Sequence, residues 1–101
     1  MKKGTYKISN KAIEDLEQIW FYTFEKWSKS QADRYYNLII NEIEYLSANP
    51  NSGKLISHIK EGYHSSKIKS HLVFYRKSKD STIEVIRILH EKMDIPSQLN
   101  Q

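Results

Sequence analysis

The chain has 101 residues, of which 39% are hydrophobic and 28% are charged. This length predicts one domain over residues 1–101 with a modest core, and the composition is unlike that of a disordered chain. Cysteine is absent, which excludes disulfides, thiolate metal sites and a cysteine nucleophile. No apolar run approaches the roughly 20 residues of a transmembrane helix, and none follows Lys2 and Lys3 as in a signal peptide. We therefore expect a cytoplasmic protein without a membrane partner.

The charges are divided unevenly along the chain. The formal net charge is +4, but residues 10–48 carry four basic and seven acidic side chains. Residues 54–79 carry seven basic side chains, one acidic side chain and three of the four histidines. This asymmetry predicts a cationic face, which would attract RNA, DNA or an acidic peptide. A solvated surface that serves solubility explains the same pattern without a partner.

The first predicted elements are a short strand and a long amphipathic helix. Residues 5–9 alternate polar and apolar side chains, as a strand does. Ser9 or Asn10 can then cap a helix by accepting a hydrogen bond from a free backbone N–H. Apolar residues recur at three- and four-residue spacing from Ala12 to Trp27, which places one apolar stripe along this helix.

A second helix follows after a short break. Ser28 and Gln31 match a capping box, with Ser30 as a competing cap. The next apolar stripe runs over residues 32–46, and turn-forming residues at 49–53 end it. Because only two or three residues join the two helices, the helices must fold back on each other as an antiparallel hairpin.

The rest of the chain has the period of strands. Residues 63–69 alternate weakly, residues 71–76 form an apolar run, and residues 82–89 are rich in β-branched side chains. The polar residues 77–81 join the last two strands, and a bulge there would decide which side of the sheet Arg76 faces. The predicted class is therefore α+β, in the order β-α-α-β-β-β. The helix hairpin packs on one face of a small antiparallel sheet, and the basic strands line an open second face.

Four stretches of the chain resemble toxins of the RelE/ParE superfamily and are most similar to its ParE branch. Together they follow the family's order and spacing over nearly the whole chain, and the last is the most specific. The stretches are Tyr6-Lys7-Ile8-Ser9 continuing to Asp15-Leu16, Trp27-Ser28-Lys29-Ser30-Gln31-Ala32 with Tyr35, Leu46-Ser47-Ala48-Asn49-Pro50 with Gly53, and Ser70–Arg76 with Ile83–Ile95.

This resemblance implies the same fold and the toxin half of a type II toxin–antitoxin system, of the kind that serves plasmid stabilisation. It implies that the chain binds and inhibits DNA gyrase, with no catalytic residue, cofactor or metal. It also implies a cognate ParD-like antitoxin, which is acidic and partly disordered. Such an antitoxin folds on the toxin as a helix and an added strand, and the two form a hetero-oligomer.

The residues expected to contact the target are basic side chains of the second half. The family commonly carries Arg one residue after the position of Tyr63, where this chain has His64. That departure removes one permanent positive charge from the predicted cationic face. The full set of expected target contacts is His64, Lys67, Lys69, Arg76, Arg87 and His90.

Aromatic residues are the expected antitoxin contacts, because aromatic anchors dominate such interfaces. The set is Trp20, Phe24, Trp27 and Tyr35. An alternative interpretation places the first three in the core or in the seam between the helices. Arg87 also has a structural alternative, because a guanidinium buried in an apolar strand needs a carboxylate partner. The candidate partners are Glu42, Glu44 and Asp94.

Two other functions stay open at this point. A ribosome-dependent endoribonuclease of the RelE kind needs an acid or base and cations for the phosphate, for which His90, Arg87 and Lys67 are the candidates. The cleaving relatives commonly end the last strand with His-Tyr or Tyr, whereas Glu91 follows His90 here. The second alternative is a non-toxic protein of the same fold that serves as a binding partner or corepressor. The histidines lack the spacing of a metal site.

Overall fold

The α+β class and the order of the main elements are confirmed by a computed structural model, which describes residues 4–100. Two short elements, β2 and α3, add to the predicted order. No helix in residues 4–100 is long and apolar enough to cross a membrane. The elements are β1 (Tyr6–Ile8), α1 (Asn10–Lys26), α2 (Lys29–Ala48), β2 (Lys54–Leu55), β3 (Tyr63–Ile68), β4 (His71–Lys77), β5 (Ile83–His90) and α3 (Ile95–Leu99).

The sheet is mixed, whereas the sequence predicted an antiparallel sheet. Its strand order is β1-β5-β4-β3-β2, and the pairs β2–β3, β3–β4 and β4–β5 are antiparallel. Strand β1 instead pairs parallel with β5, with Tyr6 opposite Ile83 and Ile8 opposite Val85. Strands joined by a tight hairpin must be antiparallel, but β1 reaches β5 only after a long connection, which allows either direction.

Serine side chains begin both long helices. Ser9 accepts a hydrogen bond from the Ala12 amide at 3.0 Å, and its hydroxyl donates to the Ile86 carbonyl at 2.8 Å. Ser28 accepts from the Gln31 amide at 3.1 Å, so Ser28 rather than Ser30 is the cap. Only two residues separate α1 from α2, which confirms the predicted helix hairpin. The contact from Ser9 to β5 also fixes where α1 leaves the sheet.

A bulge within β5 changes the alternation of its side chains. Phe74 lies opposite Arg87 and Tyr75 opposite Val85, so one residue of β5 has no counterpart on β4. As a result Val85 and Ile88, three positions apart, both face the helices. The bulge lies in the strand and not in the 77–81 turn that the sequence suggested.

Both faces of the sheet are covered, so the prediction of an open second face is wrong. The residues that follow β2 and those of α3 pack on the face opposite the helices, where Leu99 and Ile56 are 3% and 4% exposed. The sequence pattern did not predict this layer, because the layer is formed by a loop and a five-residue helix. The helix-side core contains Ala12, Leu16, Ile39, Ile43, Leu46, Val73, Tyr75, Ile83, Val85 and Ile88. The second core contains Ile56, Tyr63, Phe74, Leu89 and Leu99.

Tyr75 anchors the loop between α2 and β2. Its hydroxyl donates to the Pro50 carbonyl at 2.8 Å and accepts from the Gly53 amide at 3.0 Å. A Cβ at position 53 would collide with that hydroxyl, so the close approach requires glycine. His64 stacks on the Tyr75 ring with the centroids 5.3 Å apart.

His64 is buried with an unpaired ring nitrogen. The residue is 8% exposed, and its Nδ1 has no hydrogen-bond partner among the described residues. Burial lowers the pKa of His64, and the nearby charge of Lys77 lowers the pKa further. The neutral form is therefore the one that the fold stabilises.

An ion pair between Arg87 and Asp15 joins three elements. The guanidinium meets the Asp15 carboxylate through Nε at 2.9 Å and Nη2 at 3.1 Å, and its Nη1 donates to the Gln98 carbonyl at 3.3 Å. Asp15 also accepts from the Ile88 amide at 2.9 Å. Both charged side chains are only 13% exposed. The structural alternative for Arg87 is confirmed, but its expected partners Glu42, Glu44 and Asp94 were wrong.

We expect Arg87→Met to lower the free energy of unfolding by about 3 kcal/mol, because it leaves the largely buried Asp15 carboxylate without its cation. Arg76→Met is the matched control. The Arg76–Glu84 pair lies on the surface, with side chains 52% and 33% exposed, and should cost less than about 1 kcal/mol. Urea unfolding followed by circular dichroism measures both losses. Equal losses for the two variants would contradict the role given to Arg87.

We expect the free energy of unfolding to fall as the pH drops below 6.5, the ordinary pKa of histidine. The unfolded chain protonates His64 at that pH, whereas the folded chain resists protonation. The loss is at most about 1.4 kcal/mol per pH unit for each such proton. His64→Phe should flatten the dependence, leaving the part due to His71, whose pKa is also lowered by burial. The same substitution at His58, which is exposed, is the matched control. An unchanged slope in His64→Phe would disprove the assignment.

Candidate interaction surfaces

The distal half of the helix hairpin exposes aromatic side chains. We call residues 20–38 the aromatic arm. Within it Ala32 is the one residue buried as fully as the core, in the part of the chain that the structure describes. Trp27 is 75% exposed and Tyr22 63% exposed. Large apolar side chains left exposed together indicate an interaction surface. The exposed apolar residues of the arm are Phe21, Tyr22, Phe24, Trp27, Tyr36 and Leu38.

Trp20 organises the aromatic arm. Its ring stacks on Phe24 with the centroids 5.3 Å apart and meets the edge of Phe21 at 5.4 Å. Its indole N–H donates to Asp33 at 2.9 Å, and Asp33 pairs with Lys29 at 2.8 Å. The hydrogen bonds from Lys29 and then Trp20 lower the pKa of Asp33. Trp20 thus lies in the helix seam with the partly exposed Phe24 stacked on it, whereas Trp27 is largely exposed.

Part of the predicted cationic face is paired with acidic side chains. Lys67 pairs with Glu91 at 3.0 Å, and Arg76 pairs with Glu84 at 2.8 Å. With Arg87 held by Asp15, three of the six expected target contacts already have an acidic partner. His64 is buried, and Lys69 lies in the turn between β3 and β4 with a φ of 53°. The sequence could not reveal these pairs, since their members lie on different elements that meet only in the folded chain.

The sixth expected contact, His90, opens onto a cavity of about 410 Å³ between α1 and the end of β5. We call this cavity the histidine groove. His71 lies beside His90, with the rings edge-to-face and their centroids 5.2 Å apart. No group of three His, Asp or Glu side chains suited to a metal occurs within residues 4–100. The groove is lined by Asp15, Gln18, Ile19, Tyr22, His71, Ile88, His90 and Met93.

Tyr35 on α2 contacts His71, one of the residues that line the groove. Its hydroxyl lies 2.7 Å from Nδ1 of His71 and 3.3 Å from the Ile68 carbonyl. Burial raises the pKa of Tyr35. Burial also lowers the pKa of His71, and the neighbouring His90 adds to that effect. Tyr35 is therefore half-buried and engaged with His71, apart from the more exposed aromatic residues of the arm.

Comparisons with known proteins agree with this fold. Residues 6–95 match the model of the family described as the ParE toxin of the type II toxin–antitoxin system parDE. The chain is 36% identical to Toxin ParE1 of Mycobacterium tuberculosis over 94 residues, which cover 93% of this chain and 96% of the relative. It is 33% identical to Toxin ParE1 of Caulobacter vibrioides, with the same coverage of both chains.

Two solved structures share the fold at lower sequence identity. A chain from the chromosomal ParDE system of P. aeruginosa superimposes with a TM-score of 0.74 at 20% identity, covering 86% of this chain and 95% of that one. A chain from the RelBE2 toxin–antitoxin complex of Mycobacterium tuberculosis gives 0.66 at 19% identity, covering 88% and 99%. Together with the sequence matches, these findings place the chain in the ParE toxin family of type II toxin–antitoxin systems.

Proposed function

We propose that this toxin is one ParE-like domain that acts by binding and inhibiting DNA gyrase, and that a ParD-like antitoxin neutralises it. The relatives named ParE and the family match support the toxin part. The exposed aromatic arm is the observation that supports capture by a protein partner. In solution, apolar side chains such as Trp27 and Tyr22 are costly to leave exposed together. A partner that covers them gains the free energy of their burial.

The aromatic arm fits an amphipathic helix of the antitoxin. Trp20 and Phe24 form a stacked pair that is held in place by the bond from Trp20 to Asp33. Rigid aromatic anchors of this kind lose little conformational entropy on binding and form the centre of many protein interfaces. Trp27, at the turn of the hairpin, extends the same surface. Tyr35 contributes indirectly in this proposal, because its hydroxyl is engaged with His71.

An added antitoxin strand would have to avoid part of β5. Strand β1 covers β5 only as far as Val85. Beyond that point the Ser9 hydroxyl and the Asp15 carboxylate already bond the Ile86 carbonyl and the Ile88 amide. Within residues 4–100, the outer edge of β3 has no strand partner over positions 66–68, because β2 covers only positions 64 and 65. We place the added strand at that edge of β3.

The side-chain contacts favour a binding toxin over the ribonuclease alternative. A nuclease would need Arg87 and Lys67 to hold phosphate, yet both are paired with acidic side chains of the same chain. Only His90 of that set faces an open cavity. Cleavage would therefore require two ion pairs to break before substrate charge could be met. The gyrase assignment itself comes from the family.

We expect Trp27→Ala to weaken antitoxin binding by roughly 30-fold or more, as for a central aromatic anchor. Because Trp27 is 75% exposed, the stability of the free toxin should change little. Tyr45→Ala is the matched control, since Tyr45 is 54% exposed on α2 outside the aromatic arm. Titration calorimetry with the purified antitoxin gives both affinities. Equal effects at the two positions would exclude the arm as the antitoxin site.

We expect the purified toxin to inhibit supercoiling by DNA gyrase and to leave messenger RNA intact in a translation reaction. Adding the antitoxin should restore supercoiling. Cleaved messages with normal supercoiling would instead support the ribonuclease alternative, and His90 would then be the first residue to substitute. A folded toxin that affects neither reaction and does not slow growth, but still binds the antitoxin, would identify the corepressor alternative.

A further inference from the structure

The histidine groove is not used by the proposed function, and its hydrogen bonds define the state of each imidazole. Nδ1 of His90 accepts a hydrogen bond from the Lys92 amide at 3.1 Å. That nitrogen therefore has no proton, and the neutral ring carries its proton on Nε2. His90 therefore presents Nε2–H as its hydrogen-bond donor.

The hydrogen bonds of His71 can accommodate a second proton on its ring. Its Nδ1 lies 2.7 Å from the Tyr35 hydroxyl, which is also 3.3 Å from the Ile68 carbonyl. When His71 is protonated, Nδ1–H can donate to the Tyr35 oxygen, and the Tyr35 hydroxyl can donate to Ile68. Every donor then has an acceptor, and Nε2–H of His71 becomes a second donor. Burial disfavours the protonated form of His71, because it lowers the pKa of this residue.

The charges around the groove leave it receptive to a single negative charge. Asp15 is matched by Arg87 and the Ile88 amide, and Glu91 is matched by Lys67. An incoming anion therefore meets paired carboxylates rather than free ones. The titratable and charged groups that surround the two imidazoles are Asp15 and Tyr22 on α1, Tyr35 on α2, Lys67 on β3, Arg87 on β5, and Glu91 and Lys92 after β5.

The size and lining of the groove select the kind of anion. Ile19, Ile88 and Met93 give it apolar walls, and its volume of about 410 Å³ accommodates a short aliphatic chain. A phosphate dianion is best bound by permanent cations, and the neighbouring Arg87 and Lys67 are already paired. One protonated imidazole beside a second imidazole N–H donor matches a carboxylate, which carries one charge and two acceptor oxygens.

We propose that the histidine groove binds a carboxylate carried on an apolar stem, and that His71 takes up one proton from solvent as the carboxylate enters. The two Nε2–H groups of His71 and His90 each donate to the carboxylate, while the stem contacts Ile19 and Met93. The site does not depend on the identity of the toxin's target. The carboxylate comes either from an acidic residue of the antitoxin or from a free carboxylic acid.

Hexanoate is the probe that tests the site, with the histidine rings followed by nitrogen NMR. Between pH 8 and 6 its affinity should rise by up to about tenfold per pH unit, because binding is linked to one proton. The signals of His71 and His90 should shift on binding, and those of exposed His58 should not. Affinity that is independent of pH, or shifts that are equal at His58, would overturn the proposal.

Two variants separate the roles of the side chains. Tyr35→Phe removes the acceptor for Nδ1–H of protonated His71, so it should abolish most of the pH dependence while hexanoate still binds at high pH. His58→Gln is the control and should behave as the unaltered chain. Unaltered pH dependence in Tyr35→Phe would overturn the proton assignment. Because the pH dependence is first measured in the native chain, the test stands even if the variant folds poorly.

Competition with the antitoxin identifies the source of the carboxylate. If saturating antitoxin displaces hexanoate and takes on the same pH dependence, an acidic residue of the antitoxin occupies the groove. If the antitoxin and hexanoate bind together, the groove takes a free carboxylic acid. Failure of hexanoate to bind rejects the site and leaves the proposed toxin function untouched, since supercoiling and antitoxin binding are measured separately.

Discussion

The ion pair between Asp15 and Arg87 joins the layers of the structure at the point where they meet. Strand β1 is too short to cover all of β5, and the polar backbone beyond Val85 needs other partners. Asp15 supplies one by accepting the Ile88 amide, and its remaining charge is met by the two-pronged contact from Arg87. Arg87 in turn bonds the Gln98 carbonyl of α3. One pair thereby joins the helix hairpin, the central sheet and the layer over the second face.

This closure also explains why the far part of the hairpin is exposed. The helices are fixed to the sheet near their Ser9 end. The buried members of the helix-side core run from Ala12 to Leu16 on α1 and from Ile39 onwards on α2, with Ile19 and Tyr35 packed against them. Most side chains of the aromatic arm are exposed, and Phe24 stacks there on Trp20, which lies in the seam between the helices. A seam that is organised without the sheet gives a partner a preformed surface, which lowers the entropic cost of binding.

The sequence predicted elements whose cause is local and missed arrangements whose cause is distant. Ser28 and the helical spacing around it are local signals, and both helices formed where they predicted. The partner of Arg87 is Asp15, which lies 72 residues away, and no local pattern connects the two. The pairs of Lys67 with Glu91 and of Arg76 with Glu84 were missed for a similar reason, because their members meet only when the strands pair. The family resemblance predicted the toxin class. No periodicity in the sequence indicates that His71 lies beside His90, because that contact depends on the register of the sheet.

The Asp15–Arg87 pair also sets the electrostatics of the histidine groove. A free Asp15 carboxylate there would attract a proton to His71 in the empty protein and would repel an incoming anion. Paired with Arg87 and the Ile88 amide, Asp15 still raises the pKa of His71, but burial and the neighbouring His90 lower it more, so the pKa of His71 is lowered. His71 then takes up a proton only when a bound ligand supplies a negative charge. The Asp15–Arg87 pair, which stabilises the fold, therefore also favours an anion as the ligand of the groove.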